Sequence, residues 1–228
     1  SKLFVDISIL AKVDAKTGIQ RVVRSILTEL LVDPPKGYSV EPVYALPDKQ
    51  GYRYARQFTA SFSNGCSNTL TDELIDAYNG DIFLGLALHS QVVPQQANFY
   101  ARLRNIGVRV HFVVYDLLPA LMPQMFPDGA AAMHAQWLSV IAQGDGVVCI
   151  SRVVADQMRE WLSVFCPKRL RPFKIGWFHL GADVENSVPT RGLPDNADHT
   201  LEKLARRPTF LMVGTIEPRK GQSQALGA

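Results

Sequence analysis

The chain has 228 residues and a mass of 25.3 kDa, enough for one large domain or for one domain and part of another. Its 24 lysines and arginines exceed its 21 aspartates and glutamates by only three charges, which excludes a dedicated nucleic-acid binder. Hydrophobic residues make up 47% and charged residues 20% of the sequence, a composition typical of a globular core, so an intrinsically disordered chain is also excluded.

No apolar run reaches the length of about 18 residues that a membrane span requires. Ser1–Leu3 leads directly into a predicted strand, so we expect no signal peptide. The cysteines Cys66, Cys149 and Cys166 fit no metal-ligand spacing, and any disulfide scheme leaves one of them unpaired. We therefore expect a cytoplasmic protein with reduced thiols, in which Cys149 lies in a buried strand.

Short apolar runs alternate with helical patterns along most of the chain. The first predicted strand covers residues 3–7 and ends near Asp6, and Gly18–Val32 has one apolar helical face. Further strands are predicted over residues 38–46, 81–88, 108–115, 146–150 and 173–178, and further helices over residues 91–105, 128–143 and 151–165. The strand runs are apolar throughout, which is typical of a parallel sheet covered on both faces. The sequence therefore predicts a doubly wound α/β domain over residues 1–183.

Residues 184–208 interrupt this alternation with Pro189, Pro194 and several Asp and Asn residues. They predict a linker that contains a short surface helix near Leu201–Leu204. A further strand is predicted over Thr209–Val213, followed by a glycine turn and a helix. One strand and a short helix cannot bury a core, so we expect residues 209–228 to be the beginning of a second, incomplete domain.

The segment Val213–Gly221 reads V-G-T-I-E-P-R-K-G and follows that predicted strand. A glycine at the end of a strand lets the backbone turn tightly and lets a ligand approach it. Arg219 and Lys220, at the mouth of the following helix, can complement the oxygens of a diphosphate. A plain strand–turn–helix with two solvated cations fits the same residues, and the chemistry alone leaves both interpretations open.

Five segments, in order and spacing, resemble those of retaining family 4 glycosyltransferases of the GT-B fold, especially bacterial O-antigen and capsule mannosyltransferases. The most specific is G-T-x-E-P-R-K-G from Gly214, which is similar to the opening of the family's C-terminal domain. The others are the glycine-containing first loop and helix at residues 17–22, an H-D-L-x-P-like segment at 114–119, a strand–Ser–helix element at 149–151, and an H-G-V-D-like turn with one inserted residue at 179–183. The resemblance implies a GT-B type fold, with a doubly wound, Rossmann-like N-terminal domain and the truncated start of a second Rossmann-like domain.

The resemblance also implies transfer of a hexose with retention of configuration, and it favours mannose from GDP-mannose. The acceptor would be a growing polysaccharide or a lipid-linked glycan, held mostly by the N-terminal domain, with the nucleotide sugar held mostly by the C-terminal one. No metal or other cofactor is expected, because protein cations and helix dipoles neutralise the leaving diphosphate in this fold. The family's paired glutamates would lie beyond Ala228, so we expect the isolated chain to be inactive.

On the donor side, the resemblance matches Lys220 to the lysine that contacts the donor phosphates and Arg219 to the basic residue before it. Gly214 and Thr215 form the turn that approaches the donor. Thr215 departs from the family, many members of which carry arginine there, so Arg219 or a residue further on would have to supply the second phosphate cation. Gly18, at a strand-to-helix loop, is predicted to let a diphosphate or an acceptor hydroxyl reach backbone amides.

On the acceptor side, Asp116 follows the predicted strand 108–115, at the edge where open α/β sheets bind ligands. A carboxylate there can orient an acceptor hydroxyl, which makes Asp116 the candidate catalytic residue, and a turn or helix-capping aspartate is the alternative. Arg21, Tyr115 and His179 are candidate acceptor or cleft residues. The alternatives are a solvated first-turn arginine for Arg21 and a structural histidine in the interdomain crossover for His179. Tyr115 stands where the family often has histidine, which removes a histidine-based role at that position.

Other features are open to simpler interpretations. His89, His111 and His134 have no motif around them and are interpreted as core or surface residues, and the five histidines show no spacing that suggests a metal. The basic stretch 168–174 is either a solvated loop or a contact with the anionic inner face of the cytoplasmic membrane. The apolar stretch 117–126 is a candidate for lipid or partner contact, or for a lid over the acceptor site.

Two other functions remain open. One is a non-catalytic, GT-B-like acceptor-binding or scaffold module of a larger polysaccharide-synthesis protein. Paired glutamates downstream would favour the enzyme, and their absence would favour the module. The other is a dehydrogenase, which the sequence supports less well because it lacks the glycine fingerprint and an acidic ribose ligand at the expected distance.

Overall fold

The computed structural model describes residues 1–13, 17–62, 71–165, 167, 171–181 and 194–227. It divides into a first unit, residues 1–123 with 128–180, and a second unit, residues 124–127 with 181–228. The sequence-based interpretations of Cys66, Cys166 and Asp183, of the basic residues 168–169 and of the linker residues 184–193 lie outside the described residues.

The first unit alternates strands and helices. Its strands are β1 (Lys2–Asp6), β2 (Ser39–Tyr44), β3 (Arg53–Tyr54), β4 (Ile82–Gly85), β5 (Arg109–Val114), β6 (Gly146–Cys149) and β7 (Lys174–Trp177). Its helices are α1 (Ser8–Lys12), α2 (Gly18–Val32), α3 (Arg56–Phe62), α4 (Val92–Gln95), α5 (Ala97–Asn105), α6 (Leu118–Leu121), α7 (Ala130–Ile141) and α8 (Arg152–Phe165). The second unit contains α9 (Ala197–Ala205) and α10 (Gln222–Gly227). Across the described ranges, none of these helices has the length and apolarity to cross a membrane.

The seven strands form one sheet in the order β3-β2-β1-β4-β5-β6-β7. Neighbouring strands are parallel, except that β3 pairs with β2 in the antiparallel direction at the edge. After β1, the strands β2 and β3 extend the sheet toward one edge, and β4 to β7 extend it toward the other. The strand order therefore reverses between β1 and β4, and their carboxyl ends form the topological switch point where such sheets bind ligands. The doubly wound α/β prediction is confirmed for this unit.

Two hydrophobic clusters cover the two faces of the sheet. Leu3 and Val5 belong to one cluster and Phe4 to the other, because successive residues of a strand point to opposite faces. Val23 and Leu27 of α2 pack into the cluster that contains Val5. Burial on both faces explains why the strand sequences are apolar throughout rather than alternating.

A buried carboxylate lies at the end of β1. One oxygen of Asp6 accepts hydrogen bonds from the Ser8 backbone N–H at 2.9 Å and from the Ser8 hydroxyl at 2.5 Å, and the other accepts one from the Tyr52 hydroxyl at 3.0 Å. The Tyr52 and Tyr100 hydroxyls are 2.7 Å apart, and the Ser8 hydroxyl oxygen accepts from the N–H of Ala45. Burial raises the pKa of Asp6 to about 6, although these hydrogen bonds act in the opposite direction.

The structure corrects two predicted elements. Residues 91–105 form two helices, α4 and α5, instead of one, and Gln96 lies between them. Its buried side chain accepts from the Gly51 N–H at 2.8 Å and donates to the Lys49 carbonyl at 2.7 Å, which ties the junction of the two helices to the loop after β2. Residues 209–213 form no strand, and Phe210 and Val213 are 96% and 86% exposed. A strand requires a neighbour for its backbone groups, and the described part of the second unit contains none. The short elements β3 and α3 were not predicted.

The close approach of β6 to β7 requires glycine at position 146. A Cβ there would lie 2.4 Å from the Lys174 carbonyl oxygen, which cannot move without breaking the pairing of the two strands. We expect Gly146→Ala to lower the free energy of unfolding by about 2 kcal/mol, measured by urea denaturation. Gly176→Ala, on the facing strand, is the matched control, because a Cβ there meets nothing within 4 Å in the part of the chain that the structure describes. Equal effects of the two substitutions would contradict the packing argument.

The raised pKa of Asp6 predicts an unusual pH dependence of stability. Because its pKa rises from the usual 3.8 to about 6 on folding, the folded state favours the protonated carboxyl. The stability that protonation supplies is therefore present at low pH and is lost as the pH rises through about 6. We expect the wild type to lose about 2 kcal/mol relative to Asp6→Asn between about pH 4 and pH 7.

The measurement is a series of urea unfolding curves for both proteins across this pH range. Asp33→Asn, at an exposed position, controls for the removal of a surface carboxylate. A constant difference in stability between wild type and Asp6→Asn would show that Asp6 does not gain a proton on folding.

Candidate functional site

The predicted site residues of the first unit fall at the carboxyl edge of the sheet, meaning the loops that follow the parallel strands and the helix N-termini beside them. Gly18 and Arg21 lie in the first turn of α2. Tyr115 and Asp116 follow β5, and His179 follows β7. Because the carboxyl ends of parallel strands meet at one edge, the fold brings these five residues to the same side of the sheet.

The N-terminus of α2 is capped and open to solvent. The Thr17 hydroxyl accepts from the Gln20 N–H at 3.3 Å, and the Gln20 side chain accepts from the Thr17 N–H at 3.4 Å. This capping box fixes where the helix begins and satisfies the N–H groups of Thr17 and Gln20. Among the described residues, a Cβ added at Gly18 would meet nothing within 4 Å. Arg21, three residues after Gly18 in the same turn, is exposed.

Asp116 is half-buried directly after β5, and one oxygen of its carboxylate accepts from the Leu118 N–H at 3.0 Å. This hydrogen bond is the contact expected of a turn aspartate, which is the alternative that the sequence left open for Asp116. It also orients the carboxylate, because the contact restrains the side chain to one direction. The turn role therefore supports a positioning role rather than competing with it.

His134 of α7 is buried, which confirms the core interpretation that the sequence allowed, and it also lies close to Asp116. Its side chain is 3% exposed and packs against Trp137, with 5.3 Å between the ring centroids. Burial lowers the pKa of His134, and the negative charge of Asp116 together with a hydrogen bond to the backbone of that residue acts in the opposite direction. Among the described residues, the imidazole Nε2 has no hydrogen-bond partner. The structure therefore places a neutral imidazole beside Asp116. In the sequence, the signal for His134 is a polar ring on the buried face of a predicted helix.

Tyr115 and His179 occupy different surroundings. Tyr115 is 4% exposed and donates its hydroxyl to the Leu86 carbonyl at 2.9 Å, which links the ends of β5 and β4, and burial raises its pKa. His179 is exposed and packs edge-on against Trp177, with the ring centroids 5.1 Å apart. The cleft roles of both residues stay predictions, and the contacts of Tyr115 are those of a supporting residue.

In the second unit, the residues of the glycine turn are close together. Gly214 has a φ of +154°, and a Cβ there would lie 3.7 Å from the Cδ atom of Lys220. The methylene chain of Lys220 therefore crosses the glycine, and its ammonium group remains exposed. Gln222, at the start of α10, donates to the Thr215 carbonyl at 2.9 Å and closes the turn. This geometry leaves one cation next to an unshielded stretch of backbone.

Arg219 has other partners. Its guanidinium forms an ion pair with Glu217 at 2.6 Å and lies 5.3 Å from the centroid of the Phe126 ring in the same unit. A hydrogen bond from Thr215 and the nearby charge of Arg219 lower the pKa of Glu217. Arg219 is less exposed than Lys220, so Lys220 is the better placed of the two to meet an anion.

Cys149 is a free, buried thiol in β6, as the sequence predicted, and burial raises its pKa to about 11. Within the described ranges, no three His, Cys, Asp or Glu side chains come together in a way that could hold a metal ion.

Comparison with known proteins tests the resemblance to O-antigen mannosyltransferases that the sequence motifs indicate. No protein-family model matches the chain. Three relatives from Escherichia coli, each described as "Serotype-specific mannosyltransferase WbdA", are 40–41% identical to it over 232 aligned residues. The alignments cover all of this chain and 27–28% of each relative, so the chain spans little more than a quarter of their length. The chain is thus similar from end to end to a segment of bacterial mannosyltransferases, and its resemblance to O-antigen mannosyltransferases is confirmed.

Proposed function

We propose that the chain is part of a glycosyltransferase that moves a hexose from a nucleotide sugar onto a glycan acceptor. The observation that carries this proposal is the 40–41% identity, over the whole chain, to proteins described as mannosyltransferases. Because the similarity covers 27–28% of those relatives, the reaction is proposed for a protein that has these residues together with the rest of that length. We expect these 228 residues alone not to transfer sugar.

The acceptor side of the proposal rests on Asp116. Its half-buried carboxylate, held by the Leu118 N–H, is placed to accept a hydrogen bond from the acceptor hydroxyl and to orient its oxygen. With retention, the bond from that oxygen to the sugar C1 forms on the face from which the phosphate departs. The hydroxyl proton passes to the departing phosphate oxygen, so no enzyme nucleophile is needed.

The donor side rests on Lys220 and Gly214. As the bond from C1 to the phosphate breaks, the diphosphate gains negative charge, and a fixed cation stabilises that charge. Lys220 provides the cation, and the absence of a side chain at Gly214 lets the phosphates approach the backbone. Arg219, paired with Glu217, shapes the turn. The proposal requires no metal ion, because this cation takes the place of one.

The finer parts of the proposal are mannose as the sugar, GDP-mannose as the donor, retention, and a polysaccharide or lipid-linked glycan as the acceptor. The descriptions of the relatives support mannose, and the motif resemblance supports the rest.

Peripheral contact with the cytoplasmic membrane is also proposed. The apolar stretch 117–126 supports such contact better than the basic stretch does. Leu121 is 48% exposed, whereas Arg171 lies 3.9 Å from Asp145 and donates to the Arg104 carbonyl.

Donor binding tests the proposal directly. Thermal unfolding of the protein that carries this chain should shift upward with GDP-mannose, and the Lys220→Ala variant should bind about tenfold more weakly, because a charge-assisted hydrogen bond to phosphate is lost. Lys203→Ala, at an exposed position of α9 in the same unit, is the matched control. A shift with NADH instead would favour a dehydrogenase, and no shift with GDP-mannose, UDP-glucose or NADH would favour a non-catalytic module.

Substitution of Asp116 tests the acceptor side. We expect Asp116→Asn to lower kcat about 100-fold, because a neutral amide does not stabilise the partial positive charge that the acceptor hydroxyl gains as its oxygen bonds to C1. The stability of the variant should match that of the wild type, since the amide oxygen still accepts from the Leu118 N–H. Asp128→Asn, at an exposed position before α7, is the control. An unchanged kcat would show that Asp116 is a turn residue only.

A further inference from the structure

A cavity of about 460 Å³ opens in the first unit beside the carboxyl ends of β1 and β2. We call it the β1–β2 pocket. Its walls come from α1, the loop after β2, α3, and the single residues Asp72 and His89. None of the site residues predicted from the sequence lines it. Its volume is in the range of pockets that bind small organic groups.

One wall of the β1–β2 pocket carries a fixed carboxylate. Asp72 accepts from the Gln57 N–H at 3.2 Å and from the Tyr44 hydroxyl. The backbone carbonyl of Asp72 accepts from Arg53 at 2.9 Å, so its main chain is also held. Burial and the charge of Asp72 raise the pKa of Tyr44, so the phenol stays protonated and keeps donating. This wall therefore presents acceptor oxygens in a defined position.

Two other lining residues carry hydrogen-bond donors. Lys12 is the last residue of α1, and His89 follows β4. The His89 Nδ1 accepts from the Val92 N–H at 3.3 Å, so in the neutral ring the proton lies on Nε2. Burial and the charge of Lys12 lower the pKa of His89, which keeps the ring neutral. These two residues thus supply one ammonium group and one imidazole donor.

The remaining lining is largely apolar and includes Phe58 and Leu46. An aromatic ring offers a flat face to the C–H groups of a pyranose, and the hydroxyls of a sugar can both donate to Asp72 and accept from Lys12 and His89. The single positive charge of Lys12 is balanced by the negative charge of Asp72. A neutral, hydroxyl-rich ligand suits this lining, whereas a diphosphate would meet one cation and a repelling carboxylate.

From this combination we infer that the β1–β2 pocket binds a neutral saccharide unit of the acceptor glycan, remote from the reacting hydroxyl. The inference rests on the proposed function. Strand β5, which leads to Asp116, is two to three strands away from the pocket in the sheet. With about 4.8 Å between strands, the separation is roughly 10–15 Å. A sugar in the pocket is therefore not the residue that receives the new bond at Asp116 but one further back along the glycan, so an extended acceptor binds better than a single sugar.

Direct binding of glycans tests this inference without any donor. Isothermal titration of the 228-residue chain would use mannotetraose, maltotetraose and free mannose. We expect a tetrasaccharide to bind about tenfold more tightly than mannose, and Asp72→Asn and Lys12→Met each to weaken that binding about tenfold. The matched controls are Glu73→Gln and Lys49→Met, which lie outside the pocket and should leave the affinity unchanged. Shifts of the Ala11 and Ala45 amide resonances would locate the bound glycan.

Failure of both tetrasaccharides to bind would overturn the inference, as would equal losses in the pocket and control variants. Displacement of the glycan from these residues by inorganic diphosphate would also overturn it, because the pocket would then be a phosphate site. These outcomes are independent of the donor test. Glycan binding without donor binding would reject the proposed sugar transfer and support glycan binding in the β1–β2 pocket. Donor binding without glycan binding would support the proposed transfer and reject glycan binding in the pocket.

Discussion

The arrangement of the first unit depends on the hydrogen bonds that hold the buried Asp6 carboxylate at the end of β1. A carboxylate removed from water costs several kcal/mol unless the chain supplies its hydrogen bonds, and the hydrogen bonds from Ser8 and Tyr52 offset part of that cost for Asp6. Ser8 in turn receives the N–H of Ala45, and Tyr52 meets Tyr100 of α5. One buried charge therefore joins the start of α1, the loop after β2 and the helix after β4 at the switch point of the sheet.

Two candidate ligand-binding regions lie along the carboxyl edge on either side of this anchor. Asp116 and His134 lie near the end of β5, and the β1–β2 pocket lies near the ends of β1 and β2. The parallel sheet fixes the spacing between them, because its strands are locked in register by their ladders. The loops then supply the chemistry, which is the usual division of labour in doubly wound folds. A glycan several residues long is the kind of ligand that could use both regions at once.

The second unit shows how much of a site can form from local contacts. Lys220 crosses Gly214, Gln222 closes on Thr215, and Arg219 pairs with Glu217, all within nine residues of the chain. These contacts need no neighbouring strand, so the turn is formed even though residues 209–213 are not a strand. A strand has no such local source of stability, because its backbone groups are satisfied only by another strand.

The sequence by itself determined the features that depend on local periodicity and on short motifs. Continuous apolar runs indicated the parallel sheet, the amphipathic pattern placed α2 at Gly18–Val32, and the segment from Gly214 to Gly221 indicated the resemblance to mannosyltransferases. Only the tertiary structure brought together groups that are distant in the chain. Asp6 meets Tyr52 across 46 positions, Gln96, between α4 and α5, binds a loop 45 positions away, and His134 lies beside Asp116. The β1–β2 pocket likewise joins Lys12, Tyr44 and Asp72. Such contacts leave no periodic trace, because each depends on the crossing of whole elements and not on the spacing of residues within one.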